Sequence, residues 1–219
     1  MRVSLKIIKS KRKTMSLSIN SNAELIARVP LNYSKERLDK FIKEKSAWIA
    51  KYVKQAENNK QKFAPLMVAN GETIVLFETN YTILIGNYKR SKIADNKIFL
   101  TEKESKRQLI ALIKKLTLKY TSIRVEQIAK QFGFNYGKIR VGTAKTAWGS
   151  CNSKNNLTFT YKLALTPYFV VDYIIIHELC HTKVKNHSKN FYDLVSKCMP
   201  TYKLKEQWLK SNRGVINII

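Results

Sequence analysis

The spacing of apolar residues along the chain changes period several times, and each change marks an element. Val3, Leu5 and Ile7, then Met15, Leu17 and Ile19, and more loosely Leu25 to Val29, alternate with polar neighbours as half-buried strands do. The breaks at Ser10–Lys13 and Asn20–Asn22 separate three short strands, expected as an antiparallel meander that ends at Pro30. From Leu38 through Phe41, Ile42, Trp48, Ile49, Tyr52 and Val53 the recurrence is helical. Ser34 stands ahead as an N-cap, and Glu36 lies in the first turn, where the helix dipole favours an acid. This helix dissolves into the polar run Glu57–Lys62, and Trp48 reads as its packing anchor. Thr73–Phe77 and Tyr81–Ile85, joined by Glu78-Thr79-Asn80, read as a hairpin, with a further strand over Lys97–Leu100.

Thr101-x-x-Glu104 has the form of a capping box. It opens a long helical pattern from Leu109 to Ile128 that stops at Gly133, suited to a left-handed C-cap. Strands are expected over Lys138–Gly142 and Leu157–Leu163. Thr166 and Pro167 then stand as N-cap and first residue of a helix running to about Lys183. Its apolar residues nearly encircle it from Phe169 to Leu179, so it should be buried. Ser188 begins a helix with Phe191, Leu194 and Val195, and Pro200-Thr201 begins a last one with Leu204 and Trp208. The pattern is α+β. A composition shift before Thr101 divides it into a β-rich region with one long helix, 1–100, and a second domain, 101–219.

Within that last apolar stretch lies the chemistry. His177-Glu178-Leu179-Cys180-His181 reads H-E-x-x-H, and His187 follows six residues later. On a helix, residues i and i+4 share a face, so His177 and His181 can address one metal ion. Glu178 is turned about 100° away, beside the ion rather than on it, where a carboxylate can take a proton from water. His187 completes a trio if the chain folds back. These are the only 3 histidines in 219 residues, which argues against coincidence. A structural zinc site is usually cysteine-rich and closed by four protein ligands. Three histidines with a neighbouring carboxylate leave a position open, the pattern of one catalytic Zn²⁺.

Composition narrows the surroundings. The formal charge is +26, with Lys supplying 32 of 41 basic residues. Such an excess suits contact with nucleic acid or nucleotide, but it is spread evenly: 20 basic against 8 acidic residues in 1–100, and 21 against 7 in 101–219. Lysine rather than arginine also suits a merely solvated surface. Lys183, Lys185 and Lys189 are expected as a solvated rim. Three cysteines without a C-x-x-C point to reduced thiols and a cytoplasmic setting. No secretory leader is expected from the basic start, and Tyr168–Leu179, the longest apolar run, is too short and too polar to span a bilayer.

Trp148-Gly149-Ser150-Cys151, the strand leading into Leu165-Thr166-Pro167, His177-Glu178-Leu179-x-His181 and Asn186-His187-Ser188-x-x-Phe191 follow one another in an order and spacing that resemble the YgjP-like predicted metallopeptidases, relatives of the SprT and WLM zincins. The resemblance implies His177, His181 and His187 as zinc ligands and Glu178 as the catalytic acid/base. It also implies a zincin-like core in which a small antiparallel sheet lies beside the motif helix. Members commonly carry Arg where Ala147 stands, Asn where Thr160 stands and Arg where Lys162 stands. The metzincin pattern H-E-x-x-H-x-x-G-x-x-H fits less well: its glycine is Val184 here, and the turn is expected to fall to Asn186 in a left-handed conformation. The leading expectation is a zinc peptidase acting on polypeptides, an extended substrate pairing with the sheet edge near Leu157–Leu163. Two alternatives remain open: hydrolysis of a UTP-type nucleoside triphosphate, which the resemblance allows, and cleavage of proteins bound to nucleic acid, as in the SprT and WLM relatives. The N-terminal region would then serve substrate recognition.

Overall fold

A computed structural model describes residues 4–20, 22–63, 65–144 and 146–219, so Val3 and Ser21 of the expected strand pattern lie outside the described residues. The chain forms two compact units: Met1–Ala64 with Ser211–Ile218, and Pro65–Lys210 with Ile219. The expected division at Thr101 differs from this one. The strands of residues 73–101 bury Ile74, Leu76, Ile83, Ile98 and Leu100 in the same core as the helices that follow.

In the first unit, β1 (Leu5–Ser10), β2 (Ser16–Ile19) and β3 (Leu25–Pro30) form a sheet ordered β1-β3-β2. It is not a meander: β3 lies in the middle, parallel to β1 and antiparallel to β2. The reason lies in burial. β3 alone carries a fully buried alternate face, Leu25, Ala27 and Val29, and the central position covers it best. The expected single helix is two, α1 (Lys35–Glu44) and α2 (Ser46–Lys62), broken at Lys45. Each covers its own patch: Leu38 of α1 packs with Ala27 and Val29, and Ile49 and Val53 of α2 with Leu25. Ser34 caps α1 as expected, its hydroxyl oxygen accepting the Arg37 N–H. Trp48 anchors nothing in the core; it is exposed and tilts onto Tyr52, with Ile49 taking the buried position.

The second unit opens with β4 (Thr73–Leu76), β5 (Thr79–Gly86), β6 (Lys92–Ala94) and β7 (Lys97–Thr101), ordered β4-β5-β7-β6. The β4–β5 turn is Phe77-Glu78 rather than Glu78–Asn80, with φ of 47° and 59°. Such values suit glycine or asparagine. Here tertiary contacts hold them: Phe77 is buried against Tyr120 and its N–H donates to the Ala164 carbonyl at 2.6 Å. Asp95-Asn96, also at positive φ, makes the β6–β7 turn.

The long helix α3 (Ser105–Phe132) begins without the expected capping box. Glu104 is left-handed and pairs with Arg107, while Gln108 accepts the Thr101 N–H and donates to the Thr101 hydroxyl and the Lys103 carbonyl. Gly133 closes α3 at φ 65°. β8 (Ile139–Gly142), β9 (Gly149–Cys151) and β10 (Leu157–Thr160) form a sheet ordered β8-β10-β9. It is mixed rather than antiparallel, since β10 runs parallel to β8. β10 ends early, at a 3-10 turn over Tyr161–Leu165.

Helix α4 (Tyr168–Cys180) follows, then α5 (Lys189–Cys198) and α6 (Tyr202–Ser211). Thr166 does not cap α4, because its hydroxyl donates to the Leu163 carbonyl; the Glu78 carboxylate accepts the Tyr168 N–H instead. As the encircling apolar pattern requires, α4 is buried almost throughout, and Asp172 is met by a two-pronged contact from Arg124 of α3 at 2.7 Å. No helix among the described residues is long and apolar enough to cross a membrane.

Candidate metal centre

Helix α4 ends where the histidines begin to matter. His177 lies in its last turn, and His181 is its C-cap, one turn on. The chain then reverses without a left-handed residue, since Asn186 is not at positive φ. Instead the Cys180 carbonyl accepts both the Lys183 and Val184 N–H groups, and the Leu179 carbonyl accepts the Thr182 N–H and hydroxyl. His187, at the exposed end of this turn, comes back over the helix. Its Nε2 lies 3.0 Å from His177 Nε2 and 3.2 Å from His181 Nε2.

Three ring nitrogens thus converge, and among the described residues this trio could hold a metal ion. The spacing is chemically informative: two nitrogens at 2.0–2.1 Å from one tetrahedral zinc stand roughly 3.3 Å apart. Phe191 of α5, fully buried, forms the floor. Its ring stacks on His181 at 4.3 Å between centroids and meets His177 and His187 edge-on. His181 is oriented further by its Nδ1, which faces the Val184 carbonyl at 3.0 Å. A carbonyl only accepts, so Nδ1 carries the proton and Nε2 keeps its lone pair for a cation.

Electrostatics fit the same use. Burial, reinforced by the two neighbouring imidazoles, lowers the pKa of His177 to about 4. His181 is lowered too, by burial first, with the Val184 contact opposing. Both rings are therefore neutral at physiological pH, as a ligand must be. Glu178 is 5% exposed, and burial alone raises its carboxyl to about 8. A carboxyl balanced between its two forms near neutral pH is suited to taking up and releasing a proton.

Glu178 also explains a glycine. A Cβ on Gly149 would stand 2.7 Å from Glu178 Cγ and 2.8 Å from its Oε1, so β9 passes directly over the carboxylate because residue 149 has no side chain. Sequence patterning marked the segment but not this role. Nor did it mark the Val184 carbonyl or the floor made by Phe191, since neither a backbone acceptor nor a ring's orientation leaves a residue-type signature. Two rim lysines are not free in solvent. Lys185 Nζ donates to the Asn155 side chain at 2.6 Å and the Asn152 carbonyl at 3.0 Å in the β9–β10 connection, and Lys183 lies over the Phe134 ring. Thr160 donates to the Ala144 carbonyl, and Lys162 is buried beside the Tyr161 ring.

Comparison with known proteins agrees with this picture at the level of family. A family model described as the YgjP-like metallopeptidase domain matches residues 13–212. Among curated proteins nothing matches the chain. Two solved structures are similar over part of it. The metallopeptidase zymogen of Pyrococcus abyssi abylysin shares 21% identity at a TM-score of 0.39, covering 42% of this chain and 95% of its own. The metallopeptidase zymogen of Methanocaldococcus jannaschii jannalysin shares 23% at a TM-score of 0.36, covering 41% and 91%. The chain belongs to the YgjP-like metallopeptidase family.

Proposed function

We propose that this YgjP-like chain is a zinc-dependent peptidase with a zincin-like core, in which His177, His181 and His187 hold the ion and Glu178 is the general base. The observation that carries the reading is the convergence of the His187 Nε2 on those of His177 and His181, with the buried carboxyl of Glu178 carried by the same helix as His177. The donor set suits the ion: three imidazoles, no thiolate among the trio, and a fourth position left open. An ion held by these three residues would supply Lewis acidity, of the kind that polarises a carbonyl and brings the pKa of water to ~7.

The protein's own residues would do the rest. Glu178 takes the proton of the attacking water and passes it to the departing amine nitrogen, a transfer for which its raised pKa is suited. The polypeptide would add as a further strand to β9. Among the described residues β9 pairs only with β10, whereas β10 is enclosed by β8 and β9 and has no edge to offer. This moves the docking edge from the expected Leu157–Leu163 to Gly149–Cys151, over Glu178. In the same reading the N-terminal region helps to recognise substrate.

The test is a side-by-side assay of a denatured protein, UTP and a protein cross-linked to DNA, with the parent and Glu178→Gln. Cleavage of the denatured protein that zinc restores after chelation, and that Glu178→Gln abolishes, is the expected result. Phosphoanhydride cleavage alone, equally dependent on Glu178, would replace the peptidase reading with the nucleotide one. Cleavage confined to the DNA-linked protein would transfer it to nucleic-acid-bound substrates.

A further inference from the structure

His177 needs its proton on Nδ1 if Nε2 is to face a cation, and unlike His181 it meets no backbone carbonyl among the described residues that would enforce this. What it has is Tyr173, one turn earlier on α4. The phenol oxygen lies 3.5 Å from His177 Nδ1 and 3.0 Å from Glu206 Oε1 on α6. A carboxylate accepts only, so the single phenolic hydrogen goes to Glu206, leaving the Tyr173 oxygen lone pairs toward the imidazole. The imidazole can then contribute to that contact only by donating, which places its proton on Nδ1 and its lone pair on Nε2, 3.0 Å from His187 Nε2. Lys210 Nζ, 3.9 Å from Glu206 Oε2, engages the other carboxylate oxygen.

We infer that Glu206 and Tyr173 form a positioning chain that sets the tautomer and ring orientation of His177 and thereby tightens metal binding at the histidine trio. Neither residue touches the reacting atoms. Both act through His177, as the Val184 carbonyl acts through His181. The pair also joins α6 to the metal helix, so the C-terminal helix contributes to the site without supplying a ligand. The burial of Tyr173, 3% exposed, limits the competition of water for the contact. This rests on the trio binding zinc, as proposed above.

The test is zinc affinity of the full chain, measured by competition with a chromophoric chelator, alongside the far-ultraviolet circular dichroism of the metal-free protein. Tyr173→Phe keeps the ring and should weaken zinc binding by about 10- to 100-fold, the range typical of lost outer partners, with the spectrum unchanged. Glu206→Leu should weaken it in the parent but add little when combined with Tyr173→Phe, because the carboxylate acts only through the phenol. Glu206→Gln, which keeps an acceptor oxygen, should recover most of the affinity. Cobalt substituted for zinc should show a shifted visible spectrum in Tyr173→Phe. Parent-like zinc affinity in Tyr173→Phe overturns the positioning chain and leaves the metal site standing. A parent that binds no zinc overturns both. Should Tyr173→Phe misfold, the Glu206→Leu and Glu206→Gln pair decides: equal zinc affinity in both overturns the chain, and tighter binding by Gln upholds it.

Discussion

The first unit hides its apolar residues in two patches along one strand, Leu25 with Ile49 and Val53, and Ala27 and Val29 with Leu38. The second gathers two sheets, α3, α4 and α5 around one continuous core that runs from Ile74 to Tyr202. All three histidines and Glu178 belong to the second. The difference shows what such a site demands of its surroundings. Moving His177 down to about 4 and Glu178 up to about 8 requires removing both from water, and a thin patch backed by a single strand cannot do that. Holding nitrogen atoms near 3 Å from one another also requires a rigid backing, which Phe191 and α4 supply beneath the trio.

Substitutions can break or sharpen this contrast. The largest expected effect is Glu178→Gln, which should cost roughly 10²- to 10⁴-fold in peptide turnover while the zinc content, read by metal analysis, stays at that of the parent. Unimpaired turnover would remove Glu178 from its role. His187→Ala should weaken zinc binding by more than the roughly 10- to 100-fold of an outer partner, as measured by chelator competition. An unchanged affinity would mean that the exposed arm of the trio is not a ligand.

The pH dependence of the metal-free protein comes next, and its sign follows from which state holds the proton. Glu178 gives up its proton near 4.5 when unfolded and near 8 when folded, so stability falls as pH rises through that window. His177 is protonated near 6.5 when unfolded and near 4 when folded, so stability falls as pH drops from 6.5 to 4. Glu178→Gln should therefore stabilise the metal-free chain by about 2–4 kcal/mol at pH 8 and by little at pH 5, as read from urea melts. A gain independent of pH would show that ionisation of the buried carboxyl is not its source.

The smallest expected effect is a difference between two truncations that contrasts the two cores directly. Ile175→Ala, fully buried in the continuous core, should lie at the upper end of the ~2–5 kcal/mol range for such truncations. Ile49→Ala, 7% exposed in a patch of three buried residues, should lie at the lower end. Equal losses in urea titrations would mean that the two units share one kind of core after all.

Much of this was legible in the chain itself. Apolar periodicity located the N-terminal strands, the long α3 and the buried α4, because burial on one face or all round is written in residue type. H-E-x-x-H with His187 named the candidate ligands, since i, i+4 spacing places two side chains on one face whatever the rest of the fold does. Pairing was not legible. That β3 rather than β2 is central, and that β10 is enclosed, depends on which strand has the most apolar surface to cover from both sides. Caps were misjudged where another group won: Glu78 reaches Tyr168 across 90 residues of sequence, and the nearby Gln108 displaces Glu104 at the start of α3. The groups that orient the trio, a carbonyl at Val184 and a phenol backed by Glu206, became visible only in three dimensions. A hydrogen bond needs two partners within about 3 Å, and nothing along a one-dimensional chain records that distance when the partners lie on different helices.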